Sequence, residues 1–125
     1  MENKSRKIVS IETSLKNFFK YFLIFTKALN KLRPKEIDLL TEILYKNHLE
    51  LNNFKYDSDR WNKVFSLDSK NEYKKNLEIE DYTLQNLLSS LRKKKVIKNN
   101  EVMDYYLPKI SNNNFQLIYN FNIKK

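Results

Sequence analysis

The stretch TLQNLLSSLRKKKVIKNN, Thr83 to Asn100, decides how the rest of the chain is read. Leu84, Leu87, Leu88 and Leu91 recur at intervals of three and four residues, which predicts a helix from Tyr82 to Lys94 with one buried face. Tyr82, Thr83, Gln85, Asn86, Ser89, Ser90 and Lys93 are left to the rest of its circumference. Arg92, Lys93, Lys94 and Lys95 crowd its end, where cations suit the negative pole of the helix dipole. Val96-Ile97 and the pair Asn99-Asn100 then read as a short apolar strand and a turn.

Working towards the N-terminus, Ser69 to Asn76 reads as a second helix, separated from the first by LEIED (Leu77–Asp81), so the two form a helix, a tight turn and a helix. Trp61, Val64 and Phe65 belong to a short helix capped by Asp57 or Ser58. Pro34 opens a helix whose stripe is Ile37, Leu40, Ile43 and Leu44 and which fades near Asn47, with Glu36 and Asp38 near its positive pole. Ser14 caps a first helix in which Leu15, Phe18, Phe19, Phe22, Leu23, Thr26, Leu29 and Leu32 keep the helical period. Tyr21, Ile24 and Phe25 lie off that stripe. Ile8 to Thr13 reads as a strand from its β-branched residues. Towards the C-terminus, Val102 to Leu107 leads to Pro108, which suits only an edge or a loop. In FQLIYNFNI, Phe115, Leu117, Tyr119, Phe121 and Ile123 alternate with polar residues as in a half-buried strand.

The segment YKKNLEIEDYTLQNLLSSLRKKKVI, Tyr73 to Ile97, resembles the helix-turn-helix core of winged-helix regulators of the MarR type. Tyr73, Leu77, Ile79, Leu84, Leu87, Leu88, Leu91, Lys93, Lys94, Val96 and Ile97 fall on the family's positions without a gap. LRPKEIDLLTEIL, Leu32 to Leu44, resembles the helix opening upstream of such motifs, with Arg33 where threonine is usual. Lys74 replaces the small residue between the two helices, Glu78 the turn glycine and Lys95 the capping glycine. The resemblance implies a mainly α fold with a small β wing, a winged helix-turn-helix. It would occupy residues 1–125 as one domain, with the helix-turn-helix at about 69–95 and the wing and C-terminal strand at about 96–123. It also implies that the helix beginning at Tyr82 enters the major groove of duplex DNA.

On that expectation Gln85 or Asn86 meets adenine, and Tyr82, Thr83, Ser89 and Ser90 meet base edges or phosphate. Arg92, Lys93, Lys94, Lys95 and Lys98 face phosphates, which gives affinity without sequence choice. Lys109, in the loop to Asn114, sits where a wing tip is expected. Each feature also has an ordinary explanation, as a solvated helix face, a cationic helix end or a turn.

Other chemistry finds little in the residues. There is no cysteine, hence no disulfide and no thiolate, which suits the cytoplasm of a bacterial host. There is no glycine and so no phosphate-cradling glycine loop. His48, the single histidine, falls at a helix end where a cation is favourable. Asp57, Asp59, Glu78, Glu80 and Asp81 match no metal-loop spacing. No enzymatic role, metal or cofactor is expected. FFKYFLIF, Phe18 to Phe25, is too short and too interrupted by lysines for a signal peptide or a membrane span.

The chain has 125 residues, 24 Lys and Arg against 15 Asp and Glu, and 41% hydrophobic residues. That is enough for a packed core, and the net charge of +9 suits a polyanionic partner. Asparagine is expected to take the left-handed turn positions, at Asn52-Asn53, Asn99-Asn100 and Asn112 to Asn114. The bias towards Lys, Asn, Ile, Phe and Tyr suits an AT-rich bacterial or phage genome. Two functions stay open: a DNA-binding transcriptional regulator, or a winged-helix protein–protein interaction module such as a virion or replication-complex component. Tyr21, Ile24 and Phe25 lie largely off the core stripe, so a homodimer or other protein contact through the first helix is expected; the alternative is a central helix with the other helices on one flank and the Phe115 to Ile123 strand on the other, buried within one chain.

Overall fold

The structure, a computed structural model, describes residues 7–124; the outermost ends of the expected domain, 1–6 and 125, lie outside the described residues. It is mainly helical with one small antiparallel sheet. The helices are α1 (Leu15–Phe25), α2 (Lys27–Asn30), α3 (Pro34–Leu49), α4 (Asp57–Val64), α5 (Leu67–Leu77) and α6 (Asp81–Lys93). Strands β1 (Ile97–Lys98) and β2 (Glu101–Val102) follow, then a single 3-10 turn at Asp104–Tyr106.

Helix α3 is the keel, touching α1, α4, α5 and α6. Its sequence explains this: Ile37, Leu39, Leu40, Ile43 and Leu44 are all buried, an arc wider than one neighbour needs. Phe19 and Leu23 reach it from α1, Trp61 and Val64 from α4, Tyr73 from α5, and Leu84, Leu88 and Leu91 from α6 within one core. The Tyr73 hydroxyl donates to the Val64 carbonyl at 2.8 Å, so its polar end is satisfied inside the core. Arg60 is buried as well, donating to Asn47 at 2.7 Å and to Asp57 at 2.8 Å.

Four expectations are corrected. Residues Ile8 to Thr13 form no strand; they are exposed and unpaired in the sheet. The first helix does not run on to Leu32. It breaks at Thr26, whose hydroxyl bonds back to the Phe22 carbonyl at 2.8 Å, and buried Asn30 takes the Leu23 carbonyl at 3.0 Å. These side chains compete for carbonyls a continuous helix would use; Leu29 is consequently exposed, and Leu32 is buried from a connector. Phe115 to Ile123 forms no strand; among the described residues it pairs with neither β1 nor β2. It lies instead as an arm against α1: Phe115 meets Phe18 and Phe22 edge-on at 5.3 and 5.5 Å, and the Tyr119 hydroxyl donates to the Phe25 carbonyl. Finally, the hairpin tip that follows α6 is Asn99-Asn100, and not the loop Lys109 to Asn114.

Among the described residues, seven non-glycine residues have positive φ: Lys31, Glu78, Lys95, Asn99, Asn100, Asn112 and Asn113. Asparagine thus takes the two-residue turns of the β1–β2 hairpin and of the bridge between Ser111 and Asn114. With both central residues left-handed, each is the mirror-image turn whose twist matches paired strands. Asn52-Asn53 turns without a left-handed residue.

Candidate nucleic-acid interface

Helices α5 and α6 are joined by a turn closed at Glu78, which is left-handed at φ 53°. The Ile79 N–H donates to the Lys74 carbonyl at 3.1 Å and the Glu78 N–H to Lys75 at 3.3 Å. This pair of bonds is the cap glycine normally makes, formed here with a β-carbon present at a cost of about 1 kcal/mol. The turn is thus closed without glycine. The half-buried Lys74 meets Asp81 at 3.3 Å at the start of α6.

The far end of α6 repeats the device. Lys95 is left-handed at φ 62°, Val96 N–H donates to the Leu91 carbonyl at 2.9 Å, and Lys95 N–H to Arg92 at 3.0 Å. Leu91 and Val96 are both buried, the apolar contact that accompanies such a cap. The chain is thereby turned into β1, whose Ile97 faces Val102 across the hairpin and stays in the core.

With its leucines inward, α6 presents Tyr82, Gln85, Asn86, Ser89, Arg92 and Lys93 as exposed residues. Spaced by three and four, they form one stripe along the helix. Tyr82 is 77% exposed. Thr83 is half-buried at the edge of the stripe. Lys95 and Lys98 continue the cationic surface past the helix end, Lys98 standing opposite Glu101 in the hairpin. Among the described residues, Arg92, Lys93, Lys95 and Lys98 make no ion pair. Lys109 is exposed in the segment beyond the 3-10 turn and does not belong to the hairpin next to α6.

Ser90 and Lys94 are placed differently from the others. Both turn toward α3, where Glu36 is fully buried. Ser90 Oγ donates to Glu36 Oε2, and Lys94 Nζ donates to Glu36 Oε1 at 2.6 Å and to the Lys31 carbonyl at 3.2 Å. The Arg33 N–H adds a bond to Oε1 at 2.8 Å, and the Arg33 guanidinium stands 3.5 Å from Oε2. Burial by itself raises the pKa of Glu36, but the Arg33 N–H, Lys94, Ser90 and the Arg33 side chain outweigh it and hold the carboxyl at about 2. A charged anchor therefore fixes α6 to the start of α3. Its ligands are 54 and 58 residues away in sequence, so no local pattern announced it. One signal was present: Glu36 is third in a helix opened by proline, where a carboxylate caps the preceding N–H. The anchor also brings Arg33 beside Ser90, with its guanidinium at 3.4 Å from the hydroxyl, which adds an exposed cation near the C-terminal end of α6.

Among the described residues no group of three or more metal-ligating side chains is gathered, and no helix is long and apolar enough to cross a membrane. Comparison with known proteins gave no match to this chain among family models, curated proteins or solved structures.

Proposed function

We propose that the chain is a winged-helix protein that binds duplex DNA through α6, as a transcriptional regulator of bacterial or phage origin that acts by binding and not by catalysis. The observation that carries this reading is the α6 stripe. Six polar or aromatic side chains stand free along one face of a helix held rigidly by a tight turn, a core and a buried carboxylate. A helix of this size fits the major groove, about 12 Å wide. Asn86 and Gln85 can offer donor and acceptor to adenine, while Arg92, Lys93, Lys95, Lys98 and Arg33 supply phosphate-facing charge. Ser90 and Lys94 act through Glu36 as supports of the helix. Lys109 is a backbone contact only if the segment beyond the hairpin bends to the duplex.

The test is a fluorescence-anisotropy titration with genomic duplex fragments at two salt concentrations. Binding weakens steeply with salt, and replacing Lys93, Lys95 and Lys98 by Ala flattens the slope by about one unit per lost phosphate contact. Asn86→Ala costs about 1–3 kcal/mol on a preferred fragment and much less on random duplex. Salt-insensitive binding, or none at low salt, refutes the reading. It would favour the second one, a protein–protein interaction module, which draws on the exposed aromatic surface of α1.

A further inference from the structure

The start of α3 and the connector before it run alongside α6 in the opposite direction. Lys94 donates to the Lys31 carbonyl at 3.2 Å, the Arg33 guanidinium stands 3.4 Å from the Ser90 hydroxyl, and Lys35 shares a shallow hollow with Leu87, Leu77 and Ile79. Lys31, Arg33 and Lys35 therefore follow Lys94, Ser90 and Leu87 of α6 in order. The backbone makes this row of cations: Lys31 is left-handed at φ 57°, Arg33 is extended at ψ 160°, and Pro34 opens α3. Leu32 is thereby turned into the core and Glu36 into the anchor, while Lys31, Arg33 and Lys35 are left exposed. Among the described residues Lys31 and Lys35 make no ion pair. The other end of α6 has the opposite character. Glu78, Glu80 and Asp81 are exposed there, and Asp38 follows Lys35 in the same hollow. Asp81 meets Lys74, but among the described residues Glu78 and Glu80 make no ion pair. Glu80 and Asp81 thus occupy the positive pole of α6, where a phosphate would otherwise be welcome.

We infer that Lys31, Arg33 and Lys35 form a phosphate-binding rail beside α6, and that duplex DNA lies over the C-terminal half of that helix while its acidic first turn stands clear. This rests on the reading of α6 as the DNA-binding helix and adds where along it the duplex sits. The geometry suits a backbone contact. Packed helices lie about 8–10 Å apart, whereas half the width of the major groove is about 6 Å. An element packed beside a helix seated in the groove therefore falls over the phosphates of the groove wall and not over the bases. The rail also has the right length. Leu87 to Lys94 spans about 10 Å of helix, over which one strand presents about three phosphates along its axis, one for each cation of the rail. Arg92, Lys95 and Lys98 continue the positive surface past the end of α6, and the rail stops at Asp38, where the carboxylates of the turn begin. On this placement Asn86, Ser89 and Lys93 lie over the bases and Tyr82 stands outside the groove.

Fluorescence anisotropy of the full chain with labelled genomic duplex fragments, at about 50 and 150 mM salt, tests it. Lys31→Ala combined with Lys35→Ala lowers affinity roughly tenfold or more at the higher salt and flattens the salt slope by about two units. Neither side chain acts on Glu36, so the helical spectrum and the urea midpoint are unchanged. Lys55→Ala combined with Lys63→Ala removes the same charge around α4 and changes affinity less than about threefold, which separates the rail from net charge. Glu78→Gln combined with Glu80→Gln also changes affinity less than about threefold, because the two ends of α6 are roughly 20 Å apart, more than two screening lengths at that salt. A larger gain from that pair puts the first turn at the phosphates and overturns the inference. A wild-type chain that binds no duplex refutes the proposed function and this inference with it. A wild type that binds, and loses affinity on replacement of Lys93, Lys95 and Lys98 but not of Lys31 and Lys35, overturns the rail alone.

Discussion

Replacing Glu36 by Gln keeps the shape of the side chain and removes its charge, which isolates what the anchor between α3 and α6 contributes. The folded carboxyl titrates at about 2 against an ordinary value of 4.5. A group whose pKa is depressed on folding stabilises the fold above its unfolded pKa and loses that contribution as pH falls through the folded value. Each pKa unit corresponds to about 1.4 kcal/mol, so the charged form contributes roughly 3 kcal/mol at neutral pH. For a chain of this size that corresponds to a fall of roughly 10 °C in Tm for Glu36→Gln at pH 7. The experiment is urea denaturation of both proteins between pH 7 and pH 2. The wild-type advantage stays level down to about pH 5, halves near pH 3 and approaches zero at about pH 2. A difference that is constant over that whole range would mean that the bonds from Lys94, Ser90 and Arg33 do not act on the ionised form, and would refute the reasoning.

Three further outcomes follow from the same contacts. Lys94→Ala lowers stability by leaving the buried Glu36 charge short of a partner, whereas Lys93→Ala leaves the urea midpoint unchanged and lowers only duplex affinity; equal effects on both readouts would erase the distinction between support and surface. Glu78→Gly and Lys95→Gly each raise the stability read by urea denaturation, by a few tenths to about 1 kcal/mol, because they relieve a left-handed β-carbon against a smaller rise in unfolded-chain entropy; a loss in both variants contradicts the geometry. Tyr73→Phe costs about 1–2 kcal/mol by leaving the buried Val64 carbonyl without its donor, and a neutral result shows that water replaces the hydroxyl.

The helices that pack on α3 were legible because their apolar residues repeat with the helical period, and burial follows that period closely in α4 and α6. The stop at Thr26 was not, since it depends on Asn30 reaching back seven residues for a carbonyl. The alternation from Phe115 to Ile123 was a true pattern with a mistaken consequence. Alternation describes which side chains share a face, but a strand also needs an edge to bond to, and this segment lies along α1 without pairing to the β1–β2 hairpin. The α6 stripe was found from sequence as a circumference. Ser90 and Lys94 were assigned to it because polarity marks the outside of a helix unless a buried partner from elsewhere in the chain exists. Glu36 is such a partner.

The absence of glycine reaches beyond the turns to the thermal response of the whole chain. Average usage would place about nine glycines in a chain of this length, each adding roughly 0.4–1 kcal/mol of conformational freedom to the unfolded state. Among the described residues, left-handed Lys31, Glu78 and Lys95 oppose this with about 1 kcal/mol of native-state strain each and the four left-handed asparagines with less, so the two effects partly cancel in net stability. They do not cancel in entropy. The denatured chain is stiffer, which trims the entropy of unfolding by up to about a tenth. Because the shift in Tm is the change in stability divided by that entropy, any given substitution moves the melting point of this chain correspondingly further than it would in a glycine-bearing chain of equal stability.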